Sequence, residues 1–351
     1  MKFVELSEKE FRGFESKNPQ GNIMQTVERA RLREEMGYAT YLVGLKDKDE
    51  IKAAGLIVER NGEGWMQLGP ILDWGEIGVV KKFLEGYLEF AKKKNFIEIE
   101  VFPPVLLSVR SVKGEKLKEF DRAKLFGIFK NLGFAHMGMT TKIEYKANRW
   151  MCVKDLREID TIDEARATYK KNVRNKLRKV SKELEVHVLT KKEELREWIK
   201  ALESSNQKNK VHSSRGVWYY EQIWDKYGND VQFMVVRKKD DKDIVSSRVV
   251  FYRPNEVVTF VSGTVQKYKK LNGMTVMQDW QIGECLKRGI KRLNFYGMEG
   301  DFSENNRLLE FKSGFGVEVE EYIGGFRYVL RPVRYNLQRL KRKIRTLICA
   351  K

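Results

Sequence analysis

Apolar residues in this chain fall in short runs separated by charged or turn-forming residues, and one series of such runs occurs twice. Residues 42–73, LVGLKDKDEIKAAGLIVERNGEGWMQLGPILD, read as apolar run, charged turn, apolar run, Asn61-Gly62 turn, apolar run. Residues 233–264, FMVVRKKDDKDIVSSRVVFYRPNEVVTFVSGT, repeat the series with Pro254-Asn255 at the second turn. Runs of this kind bounded by turn residues predict strands. Each half then supplies a helical pattern, about 76–93 and 274–288, and a further β-rich run at 96–102 and 290–296. Each later gives a short amphipathic stretch, Phe129-Lys130-Asn131-Leu132-Gly133-Phe134 and Phe311-Lys312-Ser313-Gly314-Phe315-Gly316, spaced by 311 − 129 = 182 residues. A single repeat this long predicts a duplicated domain whose halves face each other across a cleft, the usual place for a ligand.

Three segments lie outside the repeat. SEKEFRGFES opens with Ser7 as N-cap and Glu10 three residues on, followed by a turn-rich loop and a charged helix at about 26–36. A helix at 163–184 puts Val173, Leu177, Val180 and Leu184 on one stripe and Lys171, Arg174, Arg178 and Lys182 opposite, predicting a core face with a phosphate-tracking or solvated back. The tail from Arg334 to Ala350 places Leu337, Leu340, Ile344 and Leu347 on one side and cations on the rest. The apolar side is expected to dock on its own domain, with the cations outward for RNA or an anionic membrane surface.

Length and charge narrow the class. At 351 residues, with 42% hydrophobic, there is material for two cores, and no apolar run reaches the roughly 18 residues that cross a bilayer. The N-terminus lacks the apolar core of a signal peptide, and three scattered cysteines (Cys152, Cys285, Cys349) argue for a reducing, cytoplasmic compartment. The net charge of +19 points to a polyanionic partner: nucleic acid, phosphorylated substrate or anionic membrane. KKNVRNKLRKVSK at 170–182 and everything from Arg327 onward contain no acid. Metal and hydrolase chemistry find no support. His136, His187 and His212 lack ligand spacing, and no Gly-x-Ser-x-Gly, Walker loop or Cys-x-x-Cys occurs. Glu98 and Glu100, on one face of a strand, read as a solvated edge.

The order of three meandering strands, helix, strand, then Phe-Lys before a glycine resembles the acyl-CoA N-acyltransferase (GNAT-like) fold. That resemblance implies an α/β (α+β) protein of two tandem GNAT-like domains, mixed sheets flanked by helices. The expected division is 1–152 plus 323–351 against 153–322. The pyrophosphate loop of CoA-using members is missing: Lys270-Leu271-Asn272-Gly273-Met274-Thr275 has one of its glycines and no arginine, and Trp74-Gly75-Glu76-Ile77-Gly78 has an acid where phosphate would sit.

Tandem halves without CoA loops resemble the FemABX peptidyltransferases, over about 15–327. Gly21-Asn22-Ile23-Met24-Gln25-Thr26 resembles the family's Gly-x-x-x-Gln opening. Arg29 and Arg31 stand where members carry a tryptophan and then a phosphate-contacting lysine. Leu68-Gly69-Pro70-Ile71-Leu72-Asp73 resembles Gly-Pro-Val-x-Asp, and Phe102-Pro103-Pro104 stands where many members have Asp-Pro. In the second half Lys171–Val180 resembles the basic helix, and His212-Ser213-Ser214-Arg215-Gly216-Val217-Trp218-Tyr219-Tyr220 the segment whose arginine and tyrosine hold a nucleotide-sugar diphosphate. Asn294-Phe295-Tyr296-Gly297-Met298-Glu299-Gly300 stands for Asp-x-Gly-Gly, and Glu310-Phe311-Lys312-Ser313-Gly314-Phe315-Gly316 for the Phe-Lys element at the reaction centre. The long coiled-coil arm of some members has no counterpart here.

The resemblance implies transfer of an amino acid from aminoacyl-tRNA to the stem-peptide amine of a peptidoglycan precursor, UDP-MurNAc-pentapeptide or lipid II, in bridge synthesis. It places the precursor on the first domain and the aminoacyl-tRNA, a co-substrate, on the second, with no other cofactor and no metal. Lys312 is the implied catalytic cation; Arg31, Arg215, Tyr219 and Gly297 hold the precursor; Phe311, Lys171, Arg174 and Arg178 meet tRNA. Peripheral contact with the inner face of the membrane fits the basic tail. The alternatives are a leucyl/phenylalanyl-type aminoacyl-tRNA–protein transferase, an acetyltransferase, and a non-catalytic RNA- or membrane-surface-binding protein on the same scaffold.

Overall fold

A computed structural model describes residues 1–143, 146–208 and 215–349. The first half runs β1 (Lys2–Glu5), α1 (Glu8–Glu15), α2 (Val27–Glu35), β2 (Ala39–Asp47), β3 (Glu50–Arg60), β4 (Glu63–Gln67), α3 (Ile77–Lys93), β5 (Glu98–Phe102), β6 (Leu106–Arg110), β7 (Lys116–Glu119), α4 (Ala123–Asn131) and β8 (Ala135–His136). The second runs β9 (Trp150–Asp155), α5 (Ile162–Ala167), α6 (Lys171–Val180), β10 (Leu184–Val188), α7 (Leu195–Lys208), α8 (Val217–Tyr227), β11 (Val231–Lys238), β12 (Ile244–Tyr252), β13 (Val257–Thr264), α9 (Gly273–Lys287), β14 (Arg292–Gly297), α10 (Arg307–Ser313) and β15 (Glu318–Tyr322). β16 (Phe326–Val329) and α11 (Pro332–Cys349) follow.

The duplication is visible in the pairing. β2-β3-β4 and β11-β12-β13 are antiparallel meanders, each followed by a helix and a strand parallel to the third, β5 and β14. Asn61 and Gly62 both have positive φ (55° and 83°), the type I′ geometry that matches strand twist and selects Asn-Gly. Ser7 and Glu10 form the expected capping box on α1.

Two mixed sheets result, β1-β2-β3-β4-β5-β16-β8 and β10-β11-β12-β13-β14-β9-β15-β6-β7. They exchange material. β16 returns to the first sheet beside β5, while the hairpin β6–β7, at 106–119, joins the second beside β15. β9, which straddles the expected boundary at 152, also lies wholly in the second sheet.

Each sheet buries a face under its helices. Val43, Ile57, Met66, Phe83, Tyr87 and Phe129 form the first core, and Cys152, Met234, Val250, Met277, Leu293 and Phe315 the second. A third cluster joins the halves: Ile23, Met24 and Leu32 pack with Trp198, Tyr219, Tyr220, Ile223 and Tyr227. A buried ion pair pins the same junction, Arg253 after β12 to Glu15 of α1.

Three expectations need correction. The helix at 163–184 is two helices, α5 and α6. Lys170 N–H donates to Gly314 O at 2.9 Å instead of continuing the first helix, and Leu184 belongs to β10. Glu98 and Glu100 are not a solvated edge; both are buried, paired to Arg327, and Lys146 also pairs with Glu100. The tail helix α11 does not bury its apolar stripe: Leu337, Leu340 and Ile344 are exposed.

Candidate active site

β13 and β14 pair only at Val257↔Leu293 and Val258↔Asn294, then part. In the first half the equivalent strands pair from Glu63↔Glu98 to Gln67↔Phe102, and Gly69 N–H donates to Phe102 O at 3.1 Å, closing the opening. Only the second half therefore keeps a gap between its central strands, about 330 Å³ in volume. Arg248, Thr259, Ser262, Gln278, Phe295, Gly297, Phe311 and Lys312 are among its lining.

Lys312 enters that gap from α10. Its repeat counterpart Lys130 on α4 is exposed, whereas Lys312 is buried. The ammonium donates to Tyr296 O (2.9 Å) and Gly297 O (2.8 Å), which leaves one of its three N–H groups uncommitted. Burial pushes its pKa down to about 8; the Cys152 thiol opposes the fall and the Arg248 guanidinium adds to it. Arg248 is wholly buried, and burial alone lowers it to about 9. Its Nε donates to Ser262 Oγ at 3.1 Å and its Nη1 has no partner. Thr259 Oγ1 and both polar atoms of Gln278 are likewise buried and unpartnered. Orphaned polar atoms cost stability unless water or a ligand meets them, so their convergence on one cavity suits a polar ligand.

Tyr296 explains the strand end. Its φ of +65° is in the left-handed region that favours glycine, which the Asp-x-Gly-Gly resemblance places at this slot. Asn294 Oδ1 accepts from its N–H at 2.8 Å and Lys312 holds its carbonyl. A Cβ on Gly297 would lie 2.0 Å from Asn148 Nδ2, so glycine is required there for packing.

Tyr296, Phe260 and Val261 also wall a second cavity of about 430 Å³, which meets the first across them. Arg29, Arg33, Arg215, Lys146, Asn148 and Tyr220 line it, and among the described residues no carboxylate lines either cavity. Arg29 and Arg33 sit one turn apart on α2, both buried; Arg215 precedes α8 and its guanidinium lies 4.5 Å from the Tyr219 ring centroid and donates to Tyr219 Oη. Burial would raise the Tyr219 phenol, but Arg29, Arg215 and Arg33 outweigh it and hold it below its ordinary value. Burial and the neighbouring Arg29 bring Arg33 down to about 10. Three guanidiniums gathered with no carboxylate among the described lining residues have the charge and donor geometry that suit a polyphosphate.

Arg31 is not part of it. It lies on the outer face of α2, half exposed and paired with Glu8, with its Nε 3.0 Å from Glu8 Oε1. The structure brings together Arg215, Tyr219, Gly297, Phe311 and Lys312; it adds Arg33 and Arg248, which sequence reasoning did not single out, and Arg29, which it noted beside Arg31 without assigning it to the site. Lys171, Arg174 and Arg178 line a separate groove of about 560 Å³ between α6 and α9. Phe311 packs against Phe315 at 5.4 Å while lining the Lys312 cavity. His212, Ser213 and Ser214 fall outside the described residues. The opening motif and Leu68-Gly69-Pro70 are structural: Gln25 Nε2 donates to Gln67 O (2.8 Å), Leu56 N–H to Gln25 Oε1 (2.7 Å), and Asn22 Nδ2 to Leu68 O (2.9 Å).

A model of the FemAB family matches residues 6–239 and 236–343. The chain belongs to the FemAB family. Among curated FemAB-family relatives, aminoacyltransferase FemB of Staphylococcus epidermidis is 25% identical, covering 98% of this chain and all of that protein. Aminoacyltransferase FemA of Staphylococcus aureus is 23% identical over 93% of this chain and 94% of its own. The alignment to FemB is 420 positions long against 351 residues here, so that relative carries dozens of residues without a counterpart in this chain. This member is an aminoacyltransferase, as those two relatives are. The crystal structure of FemX shares the fold at TM-score 0.81 and 15% identity, covering 96% and 99% of the two chains. A tandem GNAT protein from the clavulanic acid pathway shares it at TM-score 0.55 and 10% identity, covering 93% and 98%.

Proposed function

We propose that this protein moves an amino acid from aminoacyl-tRNA to the stem-peptide amine of a peptidoglycan precursor, UDP-MurNAc-pentapeptide or lipid II, in interpeptide bridge synthesis. The observation that carries the reading is the pair of adjoining cavities, one with three arginines and one with Lys312, sharing Tyr296 as a wall and lined by no carboxylate among the described residues. The precursor's diphosphate lies on Arg29, Arg33 and Arg215, with Tyr219 fixing Arg215. The aminoacyl ester occupies the gap between β13 and β14, its terminal adenine against Phe311, and the acceptor stem runs along Lys171, Arg174 and Arg178.

The chemistry asks little of the protein beyond placement and charge. The amine attacks the ester carbonyl; the C–N bond forms and the carbonyl oxygen becomes an oxyanion beside the free N–H of Lys312, with Arg248 behind it. Collapse breaks the C–O bond to the tRNA ribose, whose alkoxide takes up the proton that the amine releases. No cofactor beyond the aminoacyl-tRNA enters this scheme. A cytoplasmic location with peripheral contact at the inner face of the membrane accompanies it, since a lipid-linked precursor is presented there.

Purified protein incubated with tRNA charged with labelled Ala, Ser or Gly, plus precursor, is expected to yield labelled precursor. Label appearing only on a protein N-terminus would support a leucyl/phenylalanyl-type transferase instead. Tight tRNA binding without transfer from any donor would reduce the chain to a binding protein.

A further inference from the structure

Helix α11 is mounted with its polar side against the protein and its apolar side in water. Tyr335, Gln338 and Arg342, at i, i+3 and i+7, make the attachment. The Tyr335 hydroxyl accepts from Arg327 Nη1 at 3.1 Å, Gln338 Nε2 donates to Asn61 O at 2.8 Å, and Arg342 pairs with Glu63. Val333, Leu337, Leu340 and Ile344, at i, i+4, i+7 and i+11, are 75%, 53%, 55% and 46% exposed. At 100° per residue the two sets lie roughly 160° apart around the helix. Arg334 and Lys341 fall on one flank of the apolar stripe, and α11 contains no acidic residue. Four large apolar side chains aligned in solvent are unusual for a surface that meets only water.

We propose that α11 is a docking element for an anionic lipid surface. The stripe enters the boundary between headgroups and acyl chains while the flanking cations meet lipid phosphates. Charge decides between occupants. A second copy would set two acid-free helices against each other, and RNA would satisfy the cations but leave the stripe in water. An anionic bilayer answers both features. No described helix is long and apolar enough to cross a membrane, so α11 lies on the surface. The attachment through Arg327 and Asn61 ties the docked helix to β16 and the β3–β4 turn, so docking would fix the orientation of the first sheet to the bilayer.

The test uses the full chain, without tRNA or acceptor, so its outcome is independent of the transfer reaction. Co-sedimentation is measured with phosphatidylcholine vesicles, with and without phosphatidylglycerol. Binding is expected with the anionic lipid and about ten-fold weaker without it. Leu337→Glu/Leu340→Glu should cut binding to anionic vesicles at least about ten-fold with thermal unfolding unchanged. Leu340→Trp should shift its emission to the blue on those vesicles. Undiminished binding by the double-Glu variant would reduce the attraction to net charge and overturn the proposal, as would an unshifted tryptophan. Light scattering that shows a dimer, broken by the same double variant, would assign the stripe to a second copy; loss of RNA binding instead of vesicle binding would assign it to RNA.

Discussion

Replacing Lys312 by Met keeps the length of the side chain and removes its charge. The buried ammonium has its pKa pushed down to about 8 by burial, so holding it charged costs roughly 3 kcal/mol relative to water. Met removes that cost but deprives Tyr296 O and Gly297 O of their donor, at roughly 1–3 kcal/mol each. The contributions oppose, and the expected net loss of stability is roughly 3 kcal/mol or less. Catalysis has no such offset. A fixed donor beside a developing oxyanion is worth about 10²–10³ in rate. Urea unfolding should therefore show a modest change in midpoint, while single-turnover transfer, normalised to folded protein, falls about 10²–10³-fold. A variant destabilised by much more than this, yet transferring at the wild-type rate per folded molecule, would make Lys312 a brace for the strand end and refute its role in the reaction.

The same group sets a pH dependence. The folded state gives up the Lys312 proton near pH 8 and the unfolded state only in the ordinary lysine range, so between the two the unfolded state binds more protons and stability rises with pH while transfer falls. In Lys312→Met both trends should vanish from paired pH series of unfolding and transfer. Arg29→Met and Arg33→Met should each weaken calorimetric binding of the nucleotide precursor about ten- to hundred-fold, whereas Arg31→Met, a surface pair with Glu8, should stay within about two-fold. Arg253→Met leaves Glu15 buried without its partner between the halves and should cost about 3–5 kcal/mol in denaturant unfolding; a loss under about 1 kcal/mol would contradict the pinning of the junction by this pair.

The repeat, the meanders and the capping box were legible because each depends on local pattern: period-two runs, an Asn-Gly turn and a Ser-x-x-Glu spacing. The arginine cluster was not. α2 is buried almost all round, with Val27, Glu28, Arg29, Ala30, Leu32 and Arg33 all covered, so no polar–apolar period tells which arginine turns inward. Counting slots in the resemblance selected Arg31; tertiary packing against α8 selects its neighbours two residues either side. Arg248 gave no signal because a lone arginine within a strand pattern reads as an outward position, and only the completed sheet shows it enclosed. The tail helix misled for the opposite reason. Its apolar period is real, but Tyr335, Gln338 and Arg342 supply polar anchors to Arg327, Asn61 and Glu63 that a hydropathy pattern does not weigh. Glu98 and Glu100 looked solvated because their partner Arg327 lies more than two hundred residues away in sequence.

The most direct measurement is a crystal structure of the protein soaked with UDP-MurNAc-pentapeptide. The diphosphate is expected within hydrogen-bonding distance of Arg29, Arg33 and Arg215, with the stem-peptide amine leading past Tyr296 toward Lys312. Diphosphate density beside Arg31, or in the groove between α6 and α9 with the arginine cavity unfilled, would contradict it.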